Sequence, residues 1–204
     1  MFVATILCAA ATSLSPQSPP IQTLLVSGAN NHDWKWTSPA IAAALEETGR
    51  FAVTITYDPK QDLPAVMTQH AAGKLDLIVL DYNGPRWGEA AEDAFLQAVR
   101  AGCGVTVIHA ADNAFPGWEE YELMVGLLWR KGTGHGRYHP FDIAVVDHNH
   151  PITRGMADLR MHPDELYHRL KHKEGAEYQV LMSAFSDPKT GGTNRHEPMA
   201  TARA

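Results

Sequence analysis

Histidine is the side chain whose charge changes nearest neutral pH, and this chain carries eleven of them. Eight lie between His135 and His196, yet the two best placed for proton transfer stand outside that group. His32 sits in the run Asn30-Asn31-His32-Asp33-Trp34-Lys35-Trp36-Thr37, and His109 opens His109-Ala110-Ala111-Asp112. Glu165 supplies a carboxylate that accepts or returns a proton when its surroundings shift it. His109 is the expected acid/base, Glu165 a second titrating group, and His32 a partner of His109 or a ligand contact. Trp34, Asp81, Tyr82, Asn83, Trp118 and Tyr167 are the expected binding residues, since they bring aromatic faces, an amide and a carboxylate to the same segments.

Several of these residues have a structural alternative. His109 could be a core histidine bonded to its neighbouring loop, and His32 a surface residue beside a helix start. Trp34 and Trp36 could pack on the first helix, Asp81 could cap a turn, and Glu165 could be a solvated loop residue. A metal site is the main chemical variant: His135 and His139 are four apart, and His148-x-His150 sets two imidazoles two apart. The first pair is interleaved with Gly134 and Gly136, so it reads as a loop, and the second precedes Pro151 and reads as a turn. No HExxH pattern or other complete ligand set occurs, so no metal ligand is assigned and the cofactor is left open.

The elements that must position these residues are legible in the first half. Residues 23–27, 53–57, 75–80 and 104–108 are short apolar runs that read as buried strands. Between them, residues 38–49, 64–72 and 88–101 read as helices, with Ser38 as N-cap, Pro39 at the first helical position, and glycines at 49, 73 and 102 as terminators. Strand alternating with helix predicts an α/β fold with a doubly wound, mostly parallel sheet between two helical layers. In such sheets ligands bind beyond the carboxyl ends of the strands. That rule brings His32, Asp81, Tyr82, Asn83 and His109 to one rim. The second half is less regular: a helix over 118–128, strands over 141–146 and 178–185, and a polar stretch over 148–173 that reads as an insertion above the active face.

A chain of 204 residues suits one domain, with 45% hydrophobic and 20% charged residues as in ordinary globular proteins. A net charge of -6 without any Lys/Arg run excludes a nucleic-acid partner. The apolar stretch 2–14 and the Pro-rich stretch after it read as a signal peptide and linker over residues 1–20, too short for a membrane span, so a secreted or periplasmic protein with no transmembrane segment is expected; a cytoplasmic one is the alternative. Of two cysteines, cleavage would leave only Cys103, so no intramolecular disulfide is expected.

In order and spacing, several segments resemble the ThuA-like (trehalose utilisation) family of the class I glutamine amidotransferase-like superfamily. They are His32-Asp33-Trp34-Lys35-Trp36-Thr37, the segment from Gly102 to Ala111, Trp118-Glu119-Glu120-Tyr121, Asp147-His148-Asn149-His150-Pro151, Asp164-Glu165-Leu166-Tyr167 and His196-Glu197-Pro198-Met199. The resemblance implies a flavodoxin-like, three-layer α/β/α domain over 21–204. It also implies a role in carbohydrate metabolism, with trehalose, a related disaccharide or a keto-sugar as small-molecule substrate, and homo-oligomerisation left open. His/Glu acid–base chemistry of hydrolase, lyase or isomerase type is the expected activity; a non-catalytic carbohydrate-binding or interaction module is the alternative. The amidotransferases carry a cysteine at the turn after the strand that here ends in His109. Ala110 and Ala111 stand there instead and cannot attack a carbonyl, so glutamine amidotransfer is not expected. Members of the family continue past the Glu-Pro motif into a further strand. Here Met199 is followed by Ala200-Thr201-Ala202-Arg203-Ala204, and a C-terminal truncation is expected.

Overall fold

Apolar residues in β1 (Ile21–Val26) alternate between two cores, which is the two-residue period of a strand at work. Leu24 and Val26 enter one hydrophobic cluster and Leu25 the other. In the computed structural model, which describes residues 18–203, β1 is flanked by two parallel strands, β2 (Phe51–Thr56) and β3 (Leu77–Leu80). β4 (Gly104–Val107) pairs with β3, giving the order β2-β1-β3-β4. Of the expected signal and linker segment, residues 1–17 lie outside the described residues. No helix among the described residues is long and apolar enough to cross a membrane.

Helix α1 (Trp34–Glu47) contributes Ala42, with Ile41 and Leu45, to the cluster around Leu25 and Val79. The opposite cluster takes Leu63 and Val66 from the short helices α2 (Pro59–Asp62) and α3 (Val66–Ala71) and the 3₁₀ turn between them. It also takes Ala91, Phe95 and Ala98 from α4 (Glu89–Arg100). Both faces of the parallel sheet are therefore covered. The start of α1 differs from expectation. It begins at Trp34, one turn before Ser38, because the Ser38 hydroxyl turns inward to Asp81 and Ser27 instead of capping a helix. Gly28, at the end of β1, has φ of 104°, and a Cβ there would meet the Tyr57 carbonyl oxygen at 2.2 Å. Only glycine lets the chain leave the strand at this point.

The second half departs from a mostly parallel sheet. After α5 (Glu119–Val125), β7 (His139–Val145) and β11 (Gln179–Ser186) pair antiparallel in a separate sheet of order β12-β11-β7-β8, with β8 at Leu159–Asp164 and β12 at Arg195–Ala202. Phe141, Ile143, Val145, Leu166, Leu181 and Ala184 form its core. The polar stretch expected as an insertion is strand-containing: besides β8 it holds β9 (Tyr167–His168), which pairs with β6 (Gly134–His135), and β10 (Lys171–His172), which pairs with β5 (Leu127–Leu128). β12, which contains the Glu197-Pro198 motif, runs along β11 as far as Ala202.

Candidate active site

The loops after β1, β3 and β4 meet at the carboxyl edge of the parallel sheet, where α/β folds bind ligands. Asp81 is buried there and holds the first two loops together. Its Oδ1 accepts from Asn30 Nδ2 at 2.9 Å, while its Oδ2 lies 2.8 Å from Thr37 Oγ1 and 2.7 Å from Ser38 Oγ. Asn30 Oδ1 in turn accepts from the His32 backbone N–H at 3.2 Å, so the position of His32 is fixed through Asp81. His109 follows β4 with φ of 43°, a left-handed conformation that is costly for a residue with a side chain. It opens a 3₁₀ turn, His109–Asn113.

That backbone places His109 Nε2 3.0 Å from His32 Nε2 and 2.8 Å from the Tyr167 hydroxyl. Asn83 Nδ2 donates to Asn31 Oδ1 at 2.8 Å, which turns the Asn31 amide so that its nitrogen faces His32 Nε2 at 3.3 Å. With Asn31 donating, His32 Nε2 is an acceptor. The shared proton then sits on His109 Nε2, and the Tyr167 oxygen is a second acceptor. Part of the His109 ring stays open to solvent, but the surrounding loops desolvate it. That desolvation, and then the neighbouring His32 ring, hold its pKa below the ordinary histidine value.

The second half supplies the opposite wall. The Trp129 and Tyr167 rings lie 4.5 Å apart, and the His135 ring stacks 6.0 Å from Tyr167. His135 Nδ1 faces the Gly136 carbonyl at 2.7 Å, leaving Nε2 toward Glu165 Oε2 at 3.6 Å. Burial raises the Tyr167 phenol, and the negative charges of Asp112, Glu165 and Asp164 raise it further, so it stays protonated throughout the neutral range. Trp129, His135, Glu165 and Tyr167, with Asn31, His32, Asn83, Asp112 and Asn113, line an open cavity of about 270 Å³.

Four of the residues expected from sequence line this cavity: His32, Asn83, Glu165 and Tyr167. His109 joins them through His32 and Tyr167. Glu165 meets His135 and reaches His109 only through its charge. The other four sit elsewhere. Asp81 lies behind the loops as an acceptor. Trp34 packs against Tyr57, ring centroids 5.7 Å apart. Tyr82 and Trp118 are core residues, 5% and 4% exposed, in an aromatic cluster with Trp87, Phe115 and Tyr121. Asp112, Trp129 and His135 escaped the sequence reading as binding residues. Asp112 had the clearest signal, standing three residues from His109 in the same loop. Of the variant metal residues, His135 faces this cavity while His139 lies in a separate groove with Phe141 and Phe185, and His150 Nδ1 accepts from Ile152 N in a turn. No group of three His, Cys, Asp or Glu side chains able to hold an ion occurs among the described residues. Cys103 is buried at the opposite end of β4, and its thiol is pushed up to about 11 by burial and by Asp76.

Comparison with known proteins agrees with this architecture. The crystal structure of a ThuA-like protein from Parabacteroides merdae ATCC 43184 superposes with a TM-score of 0.78 at 33% identity, covering 90% of this chain and 75% of that one. A second ThuA-like protein, from Bacteroides uniformis ATCC 8492, shares the fold with a TM-score of 0.65 at 18% identity, covering 93% of this chain and 78% of that one. No curated protein matches the sequence. The family model for ThuA, trehalose utilisation, matches residues 22–204, and the chain belongs to that family.

Proposed function

We propose that the protein acts on a carbohydrate, trehalose or a related disaccharide or its ketone-bearing form, by acid–base chemistry in which the His32–His109 pair takes the substrate proton. The observation that carries this reading is the 3.0 Å contact between the two Nε2 atoms, with the Tyr167 hydroxyl 2.8 Å from the same His109 nitrogen. Two neutral imidazoles in such a contact share one proton, so the pair has room for a second. The negative charges of Asp164, Glu165 and Asp81 favour the cation that results. Glu165, paired with His135, is the second titrating group on the opposite wall.

A cavity of about 270 Å³ is at the small end for ligand sites, which suits one ring of a disaccharide with the other at the open mouth, and not a polymer. Trp129 and Tyr167 offer flat faces to such a ring, and Asn31, Asn83 and Asn113 offer amides to its hydroxyls. The strand order β2-β1-β3-β4, with both faces covered, supports the doubly wound, flavodoxin-like reading that puts the site at the carboxyl edge.

The test is turnover of trehalose and of its ketone derivative by the wild-type protein and by His109→Asn, followed by NMR of the products. Asparagine tolerates the left-handed backbone of position 109 better than alanine does, so a loss reflects the missing imidazole and not refolding of the turn. The expected loss is about 10²–10⁴-fold in kcat with the fold intact. Equal turnover by the variant would remove His109 from the chemistry. Tight binding without turnover by the wild type would favour the non-catalytic carbohydrate-binding module instead.

A further inference from the structure

Asp112 follows His109 by three residues in a 3₁₀ turn, where side chains at that spacing eclipse one another. Asp112 lines the cavity, and His109 borders it through its contacts with His32 and Tyr167, so the two belong to one site. Its Oδ1 is shut off from solvent and has no hydrogen-bond partner. A carboxylate left in that state is costly, and native proteins rarely tolerate one without a use for it.

The neighbouring cation does not relieve it. Arg130 has five N–H donors, and other acceptors take them. Nε and Nη2 bond Glu122 Oε1 at 3.2 and 2.9 Å, and Nη2 also reaches the Ala114 carbonyl at 3.2 Å. Nη1 bonds the carbonyls of Asp112, Asn113 and Trp129 at 3.3, 3.1 and 2.8 Å. Arg130 thus holds the backbone of the turn and leaves the Asp112 carboxyl unpaired. The Tyr121 hydroxyl, from α5, donates to the Ala111 carbonyl at 2.7 Å, and no donor reaches Asp112 Oδ1.

We propose that Asp112 is the general acid of this site, a carboxyl kept protonated so that it can donate to a substrate oxygen while the His32–His109 pair removes a proton elsewhere on the same molecule. The inference rests on the acid–base reading above. In the step, the Asp112 O–H bond breaks as an O–H bond forms on the substrate oxygen, and Asp112 is left as carboxylate. The histidine pair, now holding the substrate's proton, returns one to Asp112 through water in the emptied cavity, so the protein ends as it began. Burial, opposed by the Arg130 charge, raises the Asp112 pKa to about 7, and His109 is held below its ordinary value, so base and acid are both uncharged just below neutrality.

Two measurements separate this proposal from the one it rests on. Selective ¹³C labelling of aspartate, with NMR titration of the ligand-free protein, should show one carboxyl with its midpoint near 7 that is missing from Asp112→Asn. If every carboxyl titrates in the ordinary range near 4, the proposal is overturned whatever the enzyme does. On the ketone derivative of trehalose, Asp112→Asn should lower kcat about 100-fold with KM within about twofold, and should abolish the alkaline limb of the pH profile while keeping the acid limb. Wild-type kcat and an unchanged alkaline limb would overturn the role of Asp112 and leave that of His109 standing. If Asp112→Asn does not fold, Asp112→Ser carries the same comparison.

Discussion

Asp81 shows how one buried side chain can set a site without touching its ligand. Removing it in Asp81→Ala leaves the Asn30 amide and the Thr37 and Ser38 hydroxyls without their acceptor. The expected cost is about 2–4 kcal/mol in urea unfolding, with loss of the His32–His109 contact seen as changed imidazole NMR shifts at both rings. The two indoles at 118 and 129 divide the roles that sequence could not assign. Trp118 stacks with Tyr121 at 5.6 Å inside the core, so Trp118→Ala should cost about 3–5 kcal/mol. Trp129 is in the cavity wall, so Trp129→Leu should weaken carbohydrate binding about tenfold with a much smaller change in stability. Opposite outcomes in thermal melts and binding titrations would reverse the assignment. His32 and His109 were legible because each follows a parallel strand, where topology alone fixes the rim. Tyr82 and Trp118 were not, because a large aromatic residue reads the same whether its ring turns to a ligand or to the core.

The 3₁₀ turn that carries His109 and Asp112 is held from outside by side chains of α5 and the segment after β5. Arg130 caps the carbonyls of the turn and is itself held by Glu122, which also bonds Lys173 at 3.3 Å. Burial works against the Glu122 charge, but the Gly117 N–H, Arg130 and Lys173 outweigh it and bring the carboxyl below its ordinary value of 4.5. A carboxyl lowered in the folded state stabilises the fold fully above its unfolded value, and that contribution fades as pH falls through the lowered one. Glu122→Gln should therefore be less stable than wild type by about 1–2 kcal/mol at pH 7, and the gap should close as the pH falls through the lowered value. A gap independent of pH would mean that packing and not charge carries the effect. This clamp was invisible in sequence, where Glu119, Glu120 and Glu122 look like one solvated helix face. The first-half strands were visible because each is a continuous apolar run covered on both sides. The two-residue strands β5, β6, β9 and β10 have no periodicity of their own and exist only through their partners.

Across the molecule, the cavity lies at the seam between two sheets built on different rules. The parallel sheet contributes His32, Asn83 and Asp112, and the segments that lead into and out of the antiparallel sheet contribute Trp129, His135, Glu165 and Tyr167. A ligand in the cavity touches both halves, so its binding free energy must stabilise the contact between them as well as each wall. The His109–Tyr167 bond is a direct link: it joins the end of β4 to β9, which pairs with the two-residue strand β6. In the free protein, β6 and β9 should exchange their amide hydrogens quickly, because so short a ladder opens at little cost. Saturation with the ketone derivative of trehalose should slow exchange at Gly134, His135, Tyr167 and His168 and in the turn 109–113, while leaving β11 and β12 unchanged. Protection confined to the parallel half would mean that the ligand sits on one wall only, and the halves would then be structurally joined without being coupled through the site.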